Sequence, residues 1–155
     1  MIKRVLSIDP GGTNGICEAV KEGKDWNIVN VYATDADNLF EIVRNFGLGR
    51  YRDDELLIIY EQYKLYSDKA DAMIGNEFET VQVIGVIKYL AKRRNMNIIS
   101  SPTSNKAFWN DKRLRDMELY VSIEHKRDAI RHFLYWLYFI EKGADLKDVL
   151  RKSQG

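Results

Sequence analysis

Three acidic residues, far apart in the chain, occupy positions from which carboxylates could hold a hard cation. Asp9 closes the run RVLSID, Glu61 closes LLIIYE, and Asp128 lies in EHKRDAI, where a helix begins. The first two follow apolar stretches that read as buried strands. Burying an unpaired carboxylate behind such a run is costly, so Glu61 needs a partner. Two carboxylates brought together repel unless a cation lies between them. A third gives an all-oxygen ligand set suited to Mg²⁺ or Mn²⁺ rather than zinc. The chemistry such a set would serve is two-metal hydrolysis of a phosphodiester, with ions roughly 4 Å apart. A lone acid at a strand end is more often a solvated turn residue or a helix cap, so the weight rests on the three together.

Periodicity places these acids on elements. Arg4 to Ile8 reads as a buried strand broken by Pro10, Gly11 and Gly12, and Gly15 reopens an extended stretch to Val20. After a turn at Lys21 to Lys24, Trp26 to Ala33 alternates as a hairpin strand would, which makes an antiparallel meander of three. Leu39, Ile42, Val43 and Phe46 mark a short amphipathic helix from Asp37, stopped by Gly47 and Gly49. Glu55 to Tyr60 is apolar and β-branched, an interior strand expected to run parallel to the first because a helix intervenes. Val81, Ile84, Ile87, Leu90 and Ala91 predict a long helix, Asn97 to Ser100 a short strand, and Phe108 to Tyr120 a helical region. Ser122 is the expected N-cap of a final helix through HFLYWLYFI to Gly143. Around that helix Asp128 lies opposite the stripe Ile130, Phe133, Leu137 and Ile140, so a shared site requires the helix start to overhang the strand ends.

The order βββαβαβα is the layout of an α/β, ribonuclease H-like fold, a five-stranded mixed sheet flanked by helices on both faces. Its first and fourth strands are neighbours, which would set Asp9 beside Glu61. IDPG at Ile8 to Gly11, YEQ at Tyr60 to Gln62 and HKRDA at His125 to Ala129 together resemble the RuvC family of Holliday-junction resolvases, across nearly the whole chain and in the family's order. The resemblance implies that Asp9, Glu61 and Asp128 are metal ligands and that His125 fills a fourth catalytic place. It also implies a homodimer that nicks four-way DNA junctions symmetrically with Mg²⁺, for which Mn²⁺ can substitute. His125 precedes Asp128 by three residues and shares its helix face, as metal ligand or as proton carrier.

DNA contacts are expected from local basic clusters, because Lys and Arg total 24 against 23 Asp and Glu. Lys106, Lys112, Arg113 and Arg115 precede the last motif; Lys106 lies nearest the position at which lysines of the resembling family meet junction phosphates. Lys126, Arg127 and Arg131 flank the acids and could also hold phosphate, whereas Lys88 and Lys92 to Arg94 suit a helix C-terminus equally well. Where family members often carry a base-stacking aromatic, the third residue after Glu61 is Lys64, with Tyr63 and Tyr66 as neighbouring rings. The aromatic run from Phe133 to Phe139 and the helix of Val81 to Leu90 each offer an apolar face for a second subunit.

With 155 residues, 45% of them hydrophobic, the chain suits a single domain spanning 1–155. The lone Cys17 forms no internal disulfide, and no segment reads as a secretory signal or membrane span, which fits the cytoplasm of a bacterial cell or phage-infected host. DPGGTNG also resembles the phosphate-binding turn of sugar kinases of the DxGGTN type. That reading, a fragmentary kinase-like domain, leaves Glu61 and HKRDA without a role, and those kinases need a second lobe. A non-catalytic DNA-binding scaffold of the same fold is the third possibility.

Overall fold

Central strands buried on both faces build the middle of the molecule. The computed structural model describes residues 1–63 and 79–141. Among these, β1 (Arg4–Asp9), β2 (Asn14–Glu22), β3 (Asp25–Thr34), β4 (Leu56–Glu61) and β5 (Asn97–Ser101) form one sheet in the order β3-β2-β1-β4-β5. β1 to β3 are the expected antiparallel meander, while β1, β4 and β5 run parallel, with Ile8 paired to Tyr60 and Glu61 to Ser101.

Successive residues of a strand face opposite sides, and each side has its own core. Leu6, Ile8, Leu56 and Ile58 pack against α1 (Ala36–Asn45) and α2 (Glu79–Arg94). Val5, Leu57 and Ile59 pack against α5 (Glu124–Tyr135) and the segment before it, which holds two short helices, α3 (Asn105–Phe108) and α4 (Asp111–Asp116). Trp26 closes the second core edge-on to Phe133 and Trp136. Among the described residues no helix is long and apolar enough to cross a membrane.

Local chemistry explains most boundaries and several shifts from expectation. Asp35 caps α1 by accepting from the Asn38 N–H at 2.8 Å, and Gly47 follows at positive φ. The buried stripe of α2 is Val83, Ile87 and Ala91, so Val81 faces solvent. The region from Phe108 to Tyr120 divides because Asn110 caps a new helix, accepting from the Arg113 N–H at 2.9 Å. The N-cap of α5 is Ile123 rather than Ser122, and its α-helical part ends at Tyr135. A π-helical turn, Trp136–Glu141, follows; wider than 3.6 residues per turn, it changes the helix register and leaves Ile140 on the surface. Gly143 lies outside the described residues.

The start of α5 does overhang the strand ends, and Gly15 is why it can. A Cβ at Gly15 would stand 1.9 Å from the carbonyl oxygen of His125 and 2.2 Å from its carbon. Neither atom belongs to a flexible side-chain end, so the helix would have to move. Gly85, by contrast, is an exposed α2 position with no described atom near its missing Cβ. Gly15→Ala is therefore expected to cost about 3 kcal/mol in urea denaturation through overpacking. Gly85→Ala should stabilise by about 0.5–1 kcal/mol. Equal responses of the two variants would contradict the close approach.

Candidate functional site

Strand periodicity brings the acids together. Val5, Ser7 and Asp9 point to the α5 face of β1, as do Leu57, Ile59 and Glu61 on β4 and Ile99 and Ser101 on β5. The ends of three adjacent parallel strands thus present Asp9, Glu61 and Ser101 beneath the first turns of α5. Ser7 Oγ donates to the carbonyl of Ala129 at 2.7 Å, fixing the helix over the strand next to Asp128. Asp9, Glu61 and Asp128 each turn one carboxylate oxygen into a space where all three lie within 4.8 Å of one another.

Asp128 is only 2% exposed although it lies opposite the apolar stripe of its helix. The reason is a second cover: the segment of α3 and α4 packs over the back of α5. Arg131 joins the layers, with Nη1 2.7 Å from Asp128 Oδ1, Nε donating to the Trp109 carbonyl at 2.6 Å and Nη2 2.6 Å from Asp111 Oδ1.

The electrostatics are those of a site that wants a cation. Burial, then the carboxylates of Glu61 and Asp128, push the Asp9 carboxyl up to about 9. Burial also opposes the charge on Glu61, but the His132 imidazole, the Asp9 carboxyl and Lys106 outweigh it and hold Glu61 down at about 2. Burial and mutual repulsion therefore favour one retained proton on the Asp9–Glu61 pair. Lys106 reaches in from α3, its Nζ 2.9 Å from Asp128 Oδ2 and 3.6 Å from Glu61 Oε1. Partial burial disfavours that ammonium, yet Asp128, Glu61 and Asp9 hold it protonated above the usual lysine range. A lysine drawn in as counter-ion and a carboxyl kept protonated both indicate a donor set that fits divalent cations with oxygen preference.

Of the other residues that the sequence singles out, His125 stands at the rim, half-exposed, its Nδ1 2.8 Å from Asp9 Oδ2. Arg127 is committed to structure: Nη1 donates to the carbonyls of Val121 and Ser122, and Nε pairs with Asp111. Lys112 pairs along its helix with Asp116, and Arg113 lies over the Phe108 ring at 4.2 Å. Lys126 is half-buried. Tyr63 lines a cleft of about 270 Å³ with Tyr60, Val81, Ile84 and Ser100. Lys64 and Tyr66 lie outside the described residues.

The sequence reading overlooks Ser101, Asn105 and His132, and it takes Arg131 for a phosphate contact. Arg131 and His132 follow Asp128 by three and four residues, the spacing that places side chains on one helix face, so a signal was present for both. Ser101 and Asn105 carry none.

The turn Pro10–Asn14 is closed on itself. Asn14 Oδ1 accepts the Gly11 N–H at 3.0 Å, Asn14 Nδ2 reaches the Thr34 carbonyl, and the Glu79 carboxylate lies against Gly12. A phosphate cradle needs free N–H donors; here the Gly11 N–H is taken and a carboxylate lies beside Gly12, which disfavours an anion.

No protein-family model matches the chain, and no curated protein matches it either. Solved structures do match. The RuvC of T. thermophilus in complex with Holliday junction substrate superposes with a TM-score of 0.65 at 12% identity, over 91% of this chain and 96% of that one. The fowlpox virus Holliday junction resolvase gives 0.55 at 13% identity, covering 87% and 97%. The large terminase of a thermophilic bacteriophage gives 0.52 at 14%, over 88% of this chain and 40% of that chain. At such identities the likeness establishes the fold, which is ribonuclease H-like, as expected.

The split pair has a thermodynamic consequence. Asp9 in the folded chain keeps, up to pH of about 9, a proton that it would release near its ordinary 3.8. The folded state thus binds more protons across that window, and stability falls as pH rises through it. Glu61 acts in the opposite sense, losing its contribution only as pH drops from 4.5 towards 2. Asp9→Asn should therefore stabilise the metal-free protein by about 1–2 kcal/mol at pH 8 and hardly at all at pH 4. Thermal denaturation at the two pH values checks this; an equal gain at both would refute it. Saturating Mn²⁺ should raise the melting temperature of the wild type more at pH 8 than at pH 5, because ligand carboxyls bind metal deprotonated.

Proposed function

We propose that this chain is a divalent-metal-dependent endonuclease that nicks branched DNA, four-way junctions foremost, with Asp9, Glu61, His125 and Asp128 as its catalytic and metal-binding set. The observation that carries the reading is the convergence of three carboxylate oxygens within 4.8 Å at the strand ends of a ribonuclease H-like sheet. The likeness to the T. thermophilus RuvC, whose structure contains a Holliday junction substrate, supports the choice of DNA substrate. Two Mg²⁺ or Mn²⁺ ions held there would supply the Lewis acidity that polarises a phosphodiester and the positive charge that a departing 3′ oxygen requires.

The chain's own groups divide the remaining work. Asp9 and Glu61 come from rigid strand ends and set the position of the reacting phosphate. Asp128, fixed by Arg131, closes the ligand set from above. His125 is exposed at the rim beside Asp9, where a side chain can exchange protons with solvent and with a phosphate oxygen. Lys106, once its carboxylate partners are neutralised, is free to hold a non-bridging phosphate oxygen. Lys112 and Arg113 at the start of α4, with Tyr63, Lys64, Tyr66 and Lys126, are the proposed wider DNA contacts. Symmetrical nicking of a junction needs two such sites, so the working form is a homodimer.

The deciding experiment incubates wild type and Asp9→Asn with four-way, forked, flap and linear DNA, with and without Mg²⁺. Branched substrates should be nicked only with the ion, and the variant should lose roughly a thousandfold in rate, the scale of removing a group that acts in the transition state. Cation-independent binding without cleavage would replace this reading by the scaffold. Light scattering should give a dimer; a monomer still making paired cuts would defeat the dimeric part.

A further inference from the structure

His132 is fully buried, one helical turn beyond Asp128 on α5. Around its Nδ1 stand Asn105 Nδ2 at 3.2 Å and Ser101 Oγ at 2.7 Å, and Asn105 Nδ2 also donates to Ser101 Oγ at 2.6 Å. A carboxamide nitrogen has hydrogens to give and no lone pair to offer. A neutral imidazole that takes a hydrogen bond from that nitrogen accepts at Nδ1 and carries its own hydrogen on Nε2. Nε2 makes no hydrogen bond of ordinary length to any described residue, yet it is buried and faces Glu61 Oε2 at 3.6 Å. A buried N–H left without a partner is costly, and a slight rotation of the Glu61 carboxylate supplies one.

We propose that His132 is a positioning residue: its Nε2–H orients the Glu61 carboxylate, and its Nδ1 ties that orientation through Ser101 and Asn105 to the end of β5 and to α3. This rests on the reading of Asp9, Glu61 and Asp128 as a metal centre. The arrangement is a hydrogen-bonded support behind a ligating carboxylate, the kind of support whose loss weakens metal binding 10–100-fold. It also gives the short helix of Lys106 a mechanical connection to Glu61, since Asn105 precedes Lys106 directly.

Two substitutions separate the two ring nitrogens. The amide of His132→Gln can reproduce the Nε2 donor toward Glu61 while losing the acceptor. His132→Asn can reproduce the acceptor toward Ser101 and Asn105 while losing the donor. Mn²⁺ titration calorimetry on the whole protein should give the Gln variant an affinity within about threefold of wild type and the Asn variant one 10–100-fold weaker, with circular dichroism showing both folded. Imidazole ¹⁵N spectra of the wild type should show the Nε2–H form for the buried ring. An Nδ1–H form, or equal Mn²⁺ affinity in the Asn variant and wild type, overturns the proposal while leaving the metal centre standing. Should wild type itself bind no Mn²⁺, the metal-centre reading falls and the proposal falls with it. If neither variant folds, the tautomer in the wild-type spectrum decides alone.

Discussion

Repulsion among three converging carboxylates, two buried and one half-buried, is the constraint around which the molecule is organised. Like charges about 4 Å apart in a partly hydrated site cost roughly 4 kcal/mol per pair, so three bare anions within 4.8 Å would cancel most of the 5–15 kcal/mol that stabilises an ordinary domain. The chain does not leave them bare. One proton is retained on Asp9, one ammonium is drawn in from α3, and one guanidinium is held behind Asp128. Each compensation comes from a different element, and each is removable or displaceable to a different degree. Arg131 is locked by the Trp109 carbonyl and by Asp111 and stays. The proton and the ammonium are the two that a divalent ion can replace.

Holding anions so close requires a frame that does not relax. Strand ends in the middle of a sheet provide it, because β1 and β4 are flanked on both sides by other strands and covered on both faces by apolar cores. The helix end is less rigid by nature, and three contacts compensate. Gly15 admits the α5 backbone against β2, Ser7 grips the Ala129 carbonyl, and Arg131 fastens the helix to the segment above it. All three act close to Asp128 along the helix. The helix is therefore pinned beside Asp128 and continues as a wider π-helical turn from Trp136 onward.

The sequence made three features legible: the meander, through short turns and the alternation of Trp26 to Ala33; the parallel pairing of β1 with β4, through the helix between two apolar runs; and the grouping of Asp9 with Glu61, through their places at the ends of those runs. The resemblance carried by IDPG, YEQ and HKRDA pointed to the same fold that the sheet order establishes. Asp128 was legible as a motif and illegible as a position: helical counting sends it to solvent, and only the packing of residues 105–116 over α5, a tertiary fact, buries it. Arg127 and Arg131 are legible in charge and illegible in partners: their guanidinium forks are taken up by backbone carbonyls and Asp111, which have no sequence signature. The Ser101, Asn105 and His132 network escapes for the same reason, since two of its members lie in segments without clear periodicity.

The balance of charge bears on how a polyanion could approach at all. Net charge is +1, the sequence-flagged cations around the site are largely paired, and the pocket itself is lined by acids. A DNA backbone entering the metal-free site would meet repulsion at its centre. On the proposed function, neutralising the acids would release Lys106 from Asp128 and Glu61 and make it available to a phosphate. Engagement of the reacting phosphate is therefore coupled to ion occupancy on that reading.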